Sequence, residues 1–284
     1  MAPWLTLLTR LAAAVPLAVS ATTCAAPHVV THPHAPHASS TPSHHKLFRG
    51  ADISWPNCPK GTGIKHRHGK NEPMPERNAR FVIVGVTNGP GFHPNPCLSG
   101  ELRWVALHHR WLGGYAMTTY PTTADIAAYG SKGPYDDTTA TGRLRNTARA
   151  EATFNINTIA RHKMDVPMLW VDVEPYPFWP WSSSHRANRA VVRAVIKRYR
   201  AAGHTVGIYT YLNGWHEVVG NWRLPHVPAW STAGQGTRKQ AKRMCTRGPS
   251  GGPTWVTQWY TLHQDFDLLC RAAPAKSEVL TAPS

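Results

Sequence analysis

From Gly50 onward the chain alternates apolar runs with turn residues. "GADISW" reads as a short strand and "RFVIVGVTNG", Arg80 to Gly89, as a continuous apolar strand, while "LSGELRWVALHH" carries Leu98, Leu102, Val105, Ala106 and His109 at helical spacing. "GGYAMTTY" gives a third strand, Thr147 to His162 a helix, and Val166 to Glu174 a fourth strand. Ser184 stands where it can cap a helix striped by Val192, Val195, Ile196, Tyr199 and Ala202 and ended by Gly203. Strands return at "TVGIYTYLN", "VPAWSTAG", "WVTQWY" and "QDFDLL", eight in all. Continuous apolar strands separated by helices argue for parallel pairing under a helical cover, and eight of them predict an α/β fold, a (β/α)-type TIM-like barrel. The last strands lie too close together for full helices, so the barrel is expected to be helix-poor on its C-terminal side. An open doubly wound sheet is disfavoured because no Gly-rich phosphate loop follows the first strand.

The two ends of the chain break this pattern. Residues 1–26 place Arg10 ahead of the apolar run Leu11 to Val19 and then small residues, as a secretory signal does. Residues 27–46, "PHVVTHPHAPHASSTPSHHK", are too poor in apolar surface to fold alone and read as a disordered linker, its six histidines a spacer rather than a metal site. The barrel is expected over 47–271 and a flexible tail over 272–284.

Within the fourth strand, "LWVDVEPYPFWPW" sets Asp172 and Glu174 in an apolar run. Alternation puts both on one face, with Val171 and Val173 on the other. Burying two ionised carboxylates without partners is costly, so the pair calls for a chemical reason. Barrels of this class carry their chemistry at the C-terminal ends of the strands. Asp52 lies on the first strand and Asp265 and Asp267 on the last, and in an all-parallel barrel these strands are neighbours, which gathers five carboxyl groups at one mouth. Close carboxylates repel, so at least one is expected to hold a proton near neutral pH, as a general acid must. Aromatic rings fall at the same end: Trp55, Tyr176, Phe178, Trp179, Trp181, Tyr209, Tyr211, Trp215, Trp230 and Trp259, with Gln258 beside the last. Flat rings next to acids suit sugar faces. Trp55, Tyr176, Trp179, Tyr209, Tyr211, Trp230, Gln258 and Trp259 form the expected substrate-binding set. No metal and no cofactor is called for.

Composition narrows the setting. With Cys24 assigned to the signal, Cys58, Cys97, Cys245 and Cys270 remain, an even number that implies disulfides in an exported chain. Pairing Cys58 with Cys97 and Cys245 with Cys270 closes the shorter loops, each expected beside the mouth, and no C-x-x-C spacing suggests metal. Against 15 Asp and Glu the chain carries 31 Lys and Arg, a formal charge of +16 that favours anionic wall polymers or membrane surfaces. No nucleic-acid motif accompanies it, and the dense run Arg238 to Arg247 reads as a solvated loop. After signal removal no integral membrane segment is expected.

"GADISW", "LWVDVEP", "GIYTYLNGW" and "TQWYTLHQDFDLLC" together resemble the motifs of family 25 glycoside hydrolases, the Chalaropsis-type lysozymes, and among them secreted actinobacterial relatives. The resemblance runs over about residues 48–270. It implies a secreted or wall-associated enzyme cleaving β-1,4 bonds of peptidoglycan, with Glu174 as proton donor, Asp172 as its partner carboxylate, Asp52 as the first-strand acid and Asp265 as the terminal acid. Asp267 departs from the pattern by standing where the family has Asn. Two other readings compete: a non-catalytic carbohydrate- or wall-binding protein on the same fold, and an ion pair that makes Asp172 and Glu174 purely structural. A Ser-His-Asp hydrolase finds no G-x-S-x-G elbow, and "SSSH" at 182 to 185 serves better as a helix cap.

Overall fold

A computed structural model describes residues 48–283, so the expected signal, and all of the expected linker, lie outside the described residues. Ten strands and seven helices follow in the order β1 (Arg49–Ile53), β2 (Gly63–Ile64), β3 (Arg67–His68), β4 (Phe81–Gly85), α1 (Leu98–Leu107), β5 (Trp111–Met117), α2 (Thr123–Tyr129), α3 (Ala140–Arg161), β6 (Met168–Asp172), α4 (His185–Arg200), β7 (Thr205–Thr210), α5 (Leu212–Val219), β8 (Ala229–Gln235), α6 (Arg238–Met244), β9 (Thr254–Tyr260), β10 (Asp265–Leu269) and α7 (Lys276–Val279). Eight strands close a barrel in the order β1-β10-β9-β8-β7-β6-β5-β4, and β2 with β3 forms a separate hairpin.

One expectation about this barrel is corrected. Strands β4 to β9 and β1 run parallel, but β10 is antiparallel to both neighbours, β1 and β9. Four residues separate β9 from β10, enough for a hairpin turn and far too few for a parallel crossover. The reversal puts the first residue of β10, Asp265, at the same end as the C-termini of the parallel strands, opposite Tyr260.

Side chains sort by strand alternation. Val82, Val84, Leu169, Val171, Val206 and Ile208 point outward into a layer with Leu144, Ala148, Val192, Val195 and Tyr199 of α3 and α4. Phe81, Ile83, Met168, Trp170, Trp230 and Val256 point inward and fill the barrel. Trp170 needs the space that Gly207 leaves on β7, where a Cβ would stand 2.3 Å from the indole. Ser184 caps α4, its hydroxyl accepting from the Ala187 amide, as the sequence indicated. The run from Arg238, expected as a loop, is instead helix α6, started by a Thr237–Gln240 capping box.

Both disulfides have the expected partners, Cys58–Cys97 and Cys245–Cys270. Only the first lies at the mouth, just after β1. The second is at the opposite end, because the Cys270 amide donates to the Trp255 carbonyl near the start of β9. The C-terminal segment is also corrected. Val279 and Leu280 are fully buried in the barrel-filling cluster, and Thr281 exchanges backbone hydrogen bonds with Leu112. This segment plugs the bottom of the barrel rather than forming a flexible tail. Replacing Leu280 by Ala is expected to cost about 2–5 kcal/mol of stability, the range for emptying a buried Leu site, read from chemical denaturation; a loose tail would give no change.

Candidate active site

Strand β6 ends at Asp172 because Pro175 and Pro177 follow and cannot donate to a ladder. The chain beyond is nonetheless tied down. The Val173 amide donates to the Tyr209 carbonyl, the Thr210 hydroxyl donates to the Val173 carbonyl at 2.6 Å, and the Trp181 indole donates to the Glu174 carbonyl at 2.9 Å. Glu174 is thus held at the rim, one step above Asp172 on the same inward-facing row.

Asp52, Asp172, Glu174, Asp265 and Asp267 all meet at this mouth, the last four each sensing the charge of Asp52. Asp52 is buried on β1 and accepts from the Gln258 amide at 2.8 Å. Burial pushes its carboxyl up to about 6, opposed by the hydrogen bonds from Gln258 and Asp267. Asp172, 6% exposed, is pushed up to about 7, mainly by burial, with Arg67 opposing and Asp52 reinforcing. Its Oδ1 is buried without a hydrogen-bond partner. Glu174 is raised well above the usual carboxylate range by burial and then by the Asp172 charge. Asp265, partly open at the rim, is raised by burial and by Asp52. Asp267 is fully buried, takes a hydrogen bond from the Trp230 indole at 2.9 Å, and is raised by burial and by Asp52.

The aromatic set divides. Tyr176 and Trp179 stack 5.2 Å apart on the loop after β6, with Phe178 exposed beside them, and Trp55 lies half-buried after β1. Tyr211 senses the Glu174 charge from the start of α5. These four, Tyr176, Trp179, Trp55 and Tyr211, remain available to a ligand. Others do not. Trp230 is 1% exposed and packs in the barrel floor against Tyr209 and Trp170, so it supports Asp267 rather than meeting a ligand. Gln258 is buried, with Tyr209 donating to its Oε1 at 2.9 Å, and orients Asp52. Trp259 faces away from the barrel, stacked 5.1 Å from Phe266 in a cluster with Ala241 of α6. Trp215 is likewise core. A depression of about 130 Å³ at the acids is lined by Asp52, Lys70, Glu72 and Asp265, and another of about 490 Å³, on the loop after β6, is lined by Tyr176, Trp181, His185 and Glu217.

Sequence reasoning missed Arg67. The β2–β3 hairpin, pinned by Asn88, which accepts from the Ile64 amide and donates to the Arg67 carbonyl, reaches over the mouth. Gly63 permits its bend at φ +101°. The Arg67 guanidinium lies 4.2 Å from the Tyr176 ring centre, 5.3 Å from Trp55 and 5.5 Å from Trp179, and its charge favours ionised Asp172 and Glu174. Rings hold it as cation–π partners do. Among the described residues the ion pairs within 4 Å are Arg49–Glu76 and His263–Glu72, so the structural ion-pair reading of Asp172 and Glu174 finds no direct partner.

Comparison with known proteins bears on the fold. A family model described as "Lysozyme-like protein 1" matches residues 139–244. Lysozyme-like protein 5 of Caenorhabditis elegans is 34% identical over 55 residues, a match that spans 19% of this chain and 24% of that protein. The bacterial lysozyme of Streptomyces coelicolor superposes with a TM-score of 0.53 at 16% identity, covering 83% of this chain and 98% of that one. A family GH25 lysozyme from Aspergillus fumigatus superposes at 0.52 and 16% identity, covering 82% and 97%. The chain has the barrel fold of these lysozymes.

Removing the Arg67 charge should leave the acids harder to ionise. Arg67→Met is expected to raise the titration midpoint of Asp172, followed by NMR of ¹³C-labelled aspartate, whereas an unchanged midpoint would show that the guanidinium acts on the rings alone.

Proposed function

We propose that this protein is a glycosidase that hydrolyses β-1,4 bonds of peptidoglycan, with Glu174 as general acid. The observation that carries the reading is the contrast between two acids on one row: Glu174 is pushed well above the usual carboxylate range by burial and the Asp172 charge, while Asp172 below it is pushed only to about 7. A leaving glycosidic oxygen needs a proton, and an oxocarbenium-like transition state needs a negative charge close by; carboxyls in unlike environments supply both. Asp52 and Asp265 then set the electrostatics around that charge. Tyr176, Trp179, Trp55 and Tyr211 offer faces and edges for sugar rings, with Arg67 bringing a cation to the same surface.

Setting and partners belong to the same proposal. Two disulfides fit an oxidising compartment, and the high positive charge of the chain fits attraction to anionic wall polymers, so secretion with wall association is the reading adopted. Among the described residues no helix is long and apolar enough to cross a membrane.

Glu174→Gln is expected to lower hydrolysis of purified peptidoglycan by about 10²- to 10⁴-fold, the usual contribution of general acid catalysis, with glycan binding retained. Asp172→Asn should be comparably damaging, since it removes charge without changing shape. Reducing ends and product masses are the readout. Wild-type protein that binds glycan but releases no reducing ends would establish the non-catalytic binding reading instead.

The pH profile of kcat/KM tests the same assignment. Asp52 and Asp172 must be ionised and Glu174 protonated, so activity is expected to fall below about pH 6 to 7 as the first two take up protons. It should fall again on the alkaline side as Glu174 loses its proton. A profile flat across the acid limb would rule out a role for ionised Asp52 and Asp172.

A further inference from the structure

Beneath the proposed catalytic pair, fully buried Asp267 stands opposite Gly50 and Gln258 in the barrel register, and the Gln258 amide reaches across to Asp52, so that the two acids are neighbours around one amide; a side-chain hydrogen bond between them is among the influences on both carboxyls. Two carboxylates hold only acceptor oxygens, so such a bond requires a proton on one of them. We infer that Asp52 and Asp267 share one proton, which Asp267 carries and donates to Asp52, making Asp267 a neutral positioning residue for an ionised Asp52.

The surrounding contacts decide which partner holds the proton. Asp52 Oδ2 already accepts from Gln258 Nε2, and that amide cannot turn round, because Tyr209 donates to its Oε1. Asp267 Oδ1 accepts from Trp230 Nε1 at 2.9 Å, while Oδ2 finds no donor among the described residues. With Oδ1 of Asp267 taken by the indole and Oδ2 of Asp52 by the amide, Oδ2 of Asp267 is the oxygen left to carry a hydrogen toward Asp52. Exposure points the same way, with Asp267 at 0% and Asp52 at 9%, so charge is better solvated on Asp52. The pair faces Asp265 of its own strand, Trp230 of β8, Gln258 of β9, and Tyr115, Asp172 with Glu174, and Tyr209 from β5, β6 and β7. These neighbours are neutral or acidic. Of the two cations at the mouth, Arg67 bears on Asp172 and Glu174 above, and Lys70 lines the depression beside Asp52 and bears on Asp265. Burial and the Asp52 charge accordingly push the Asp267 carboxyl upward.

The consequence for turnover rests on the glycosidase reading; the proton itself does not. Asp267→Asn offers the same shape with a permanent donor to Asp52 and an acceptor for Trp230. The infrared difference between full-length wild type and Asp267→Asn at neutral pH is therefore expected to contain one protonated-carboxyl C=O band. Its absence would mean that Asp267 is ionised and would overturn the inference. Thermal unfolding gives an independent check. The stability that goes with a folded-state pKa above the unfolded value is present at low pH and lost as pH rises, so the wild type should lose ground to Asp267→Asn as pH rises above about 4. A pH-independent difference would contradict the shared proton.

For the positioning role, Asp267→Leu should reduce kcat by about 10-fold or more with little change in KM, and Asp267→Asn should recover it. Equal losses in the two variants would refute positioning through a donor. Were wild type itself without turnover, the glycosidase reading would fail, while the infrared and unfolding results would still decide where the proton lies.

Discussion

Five of the chain's 15 acidic residues converge on one end of a barrel, and no cation stands within ion-pairing distance of any of the five among the described residues. Ionising all of them in a space shielded from water would cost more than a fold with ordinary marginal stability can bear. Protons must therefore stay in the site. That constraint orders the rest: Glu174 and Asp267 are pushed toward the neutral form by burial and by like charge, and Asp52 accepts the donors that remain. Arg67 enters from the hairpin to offset part of the charge without pairing with any one acid, since its guanidinium is held by three aromatic rings.

Reversal of the last strand is what allows so many acids to meet. In a parallel strand, residues two apart climb toward the mouth, and the later one is nearer the rim. In β10 the order is inverted, so Asp265 stands at the rim and Asp267 below it, opposite Gly50 and Gln258. The floor acid is thereby placed beside Asp52 and under the Trp230 indole, out of a ligand's reach.

Much of this was legible in the chain. Eight apolar runs with the right spacing were enough for the barrel, and period-two alternation was enough to put Asp172 and Glu174 together. The same alternation excludes Trp259 once Gln258 faces inward, because consecutive strand residues point to opposite faces; naming both as ligand contacts overlooked this. The direction of β10 was less accessible, since an alternating five-residue strand reads the same either way and only the four-residue turn before it tells. Helix α6 had a readable start in Thr237 and Gln240, masked by its basic composition. Arg67 had no signal at all. "GTGIKHRHGK" is polar and without period, and its position over the mouth depends on long-range hydrogen bonds to Asn88.

Charge is distributed so that the surface and the mouth act over different ranges. The chain as a whole carries a formal +16, while the mouth is lined by acids. At physiological ionic strength surface charges act over roughly 8 Å, so the basic exterior can gather an anionic polymer without setting the potential inside the barrel. An anionic glycan entering the mouth would then meet repulsion from whichever carboxyls are ionised. Each proton held on Glu174 or Asp267 removes one such charge. Proton retention therefore serves two ends in the glycosidase reading: it arms the general acid, and it lowers the electrostatic barrier to the substrate that the exterior attracts.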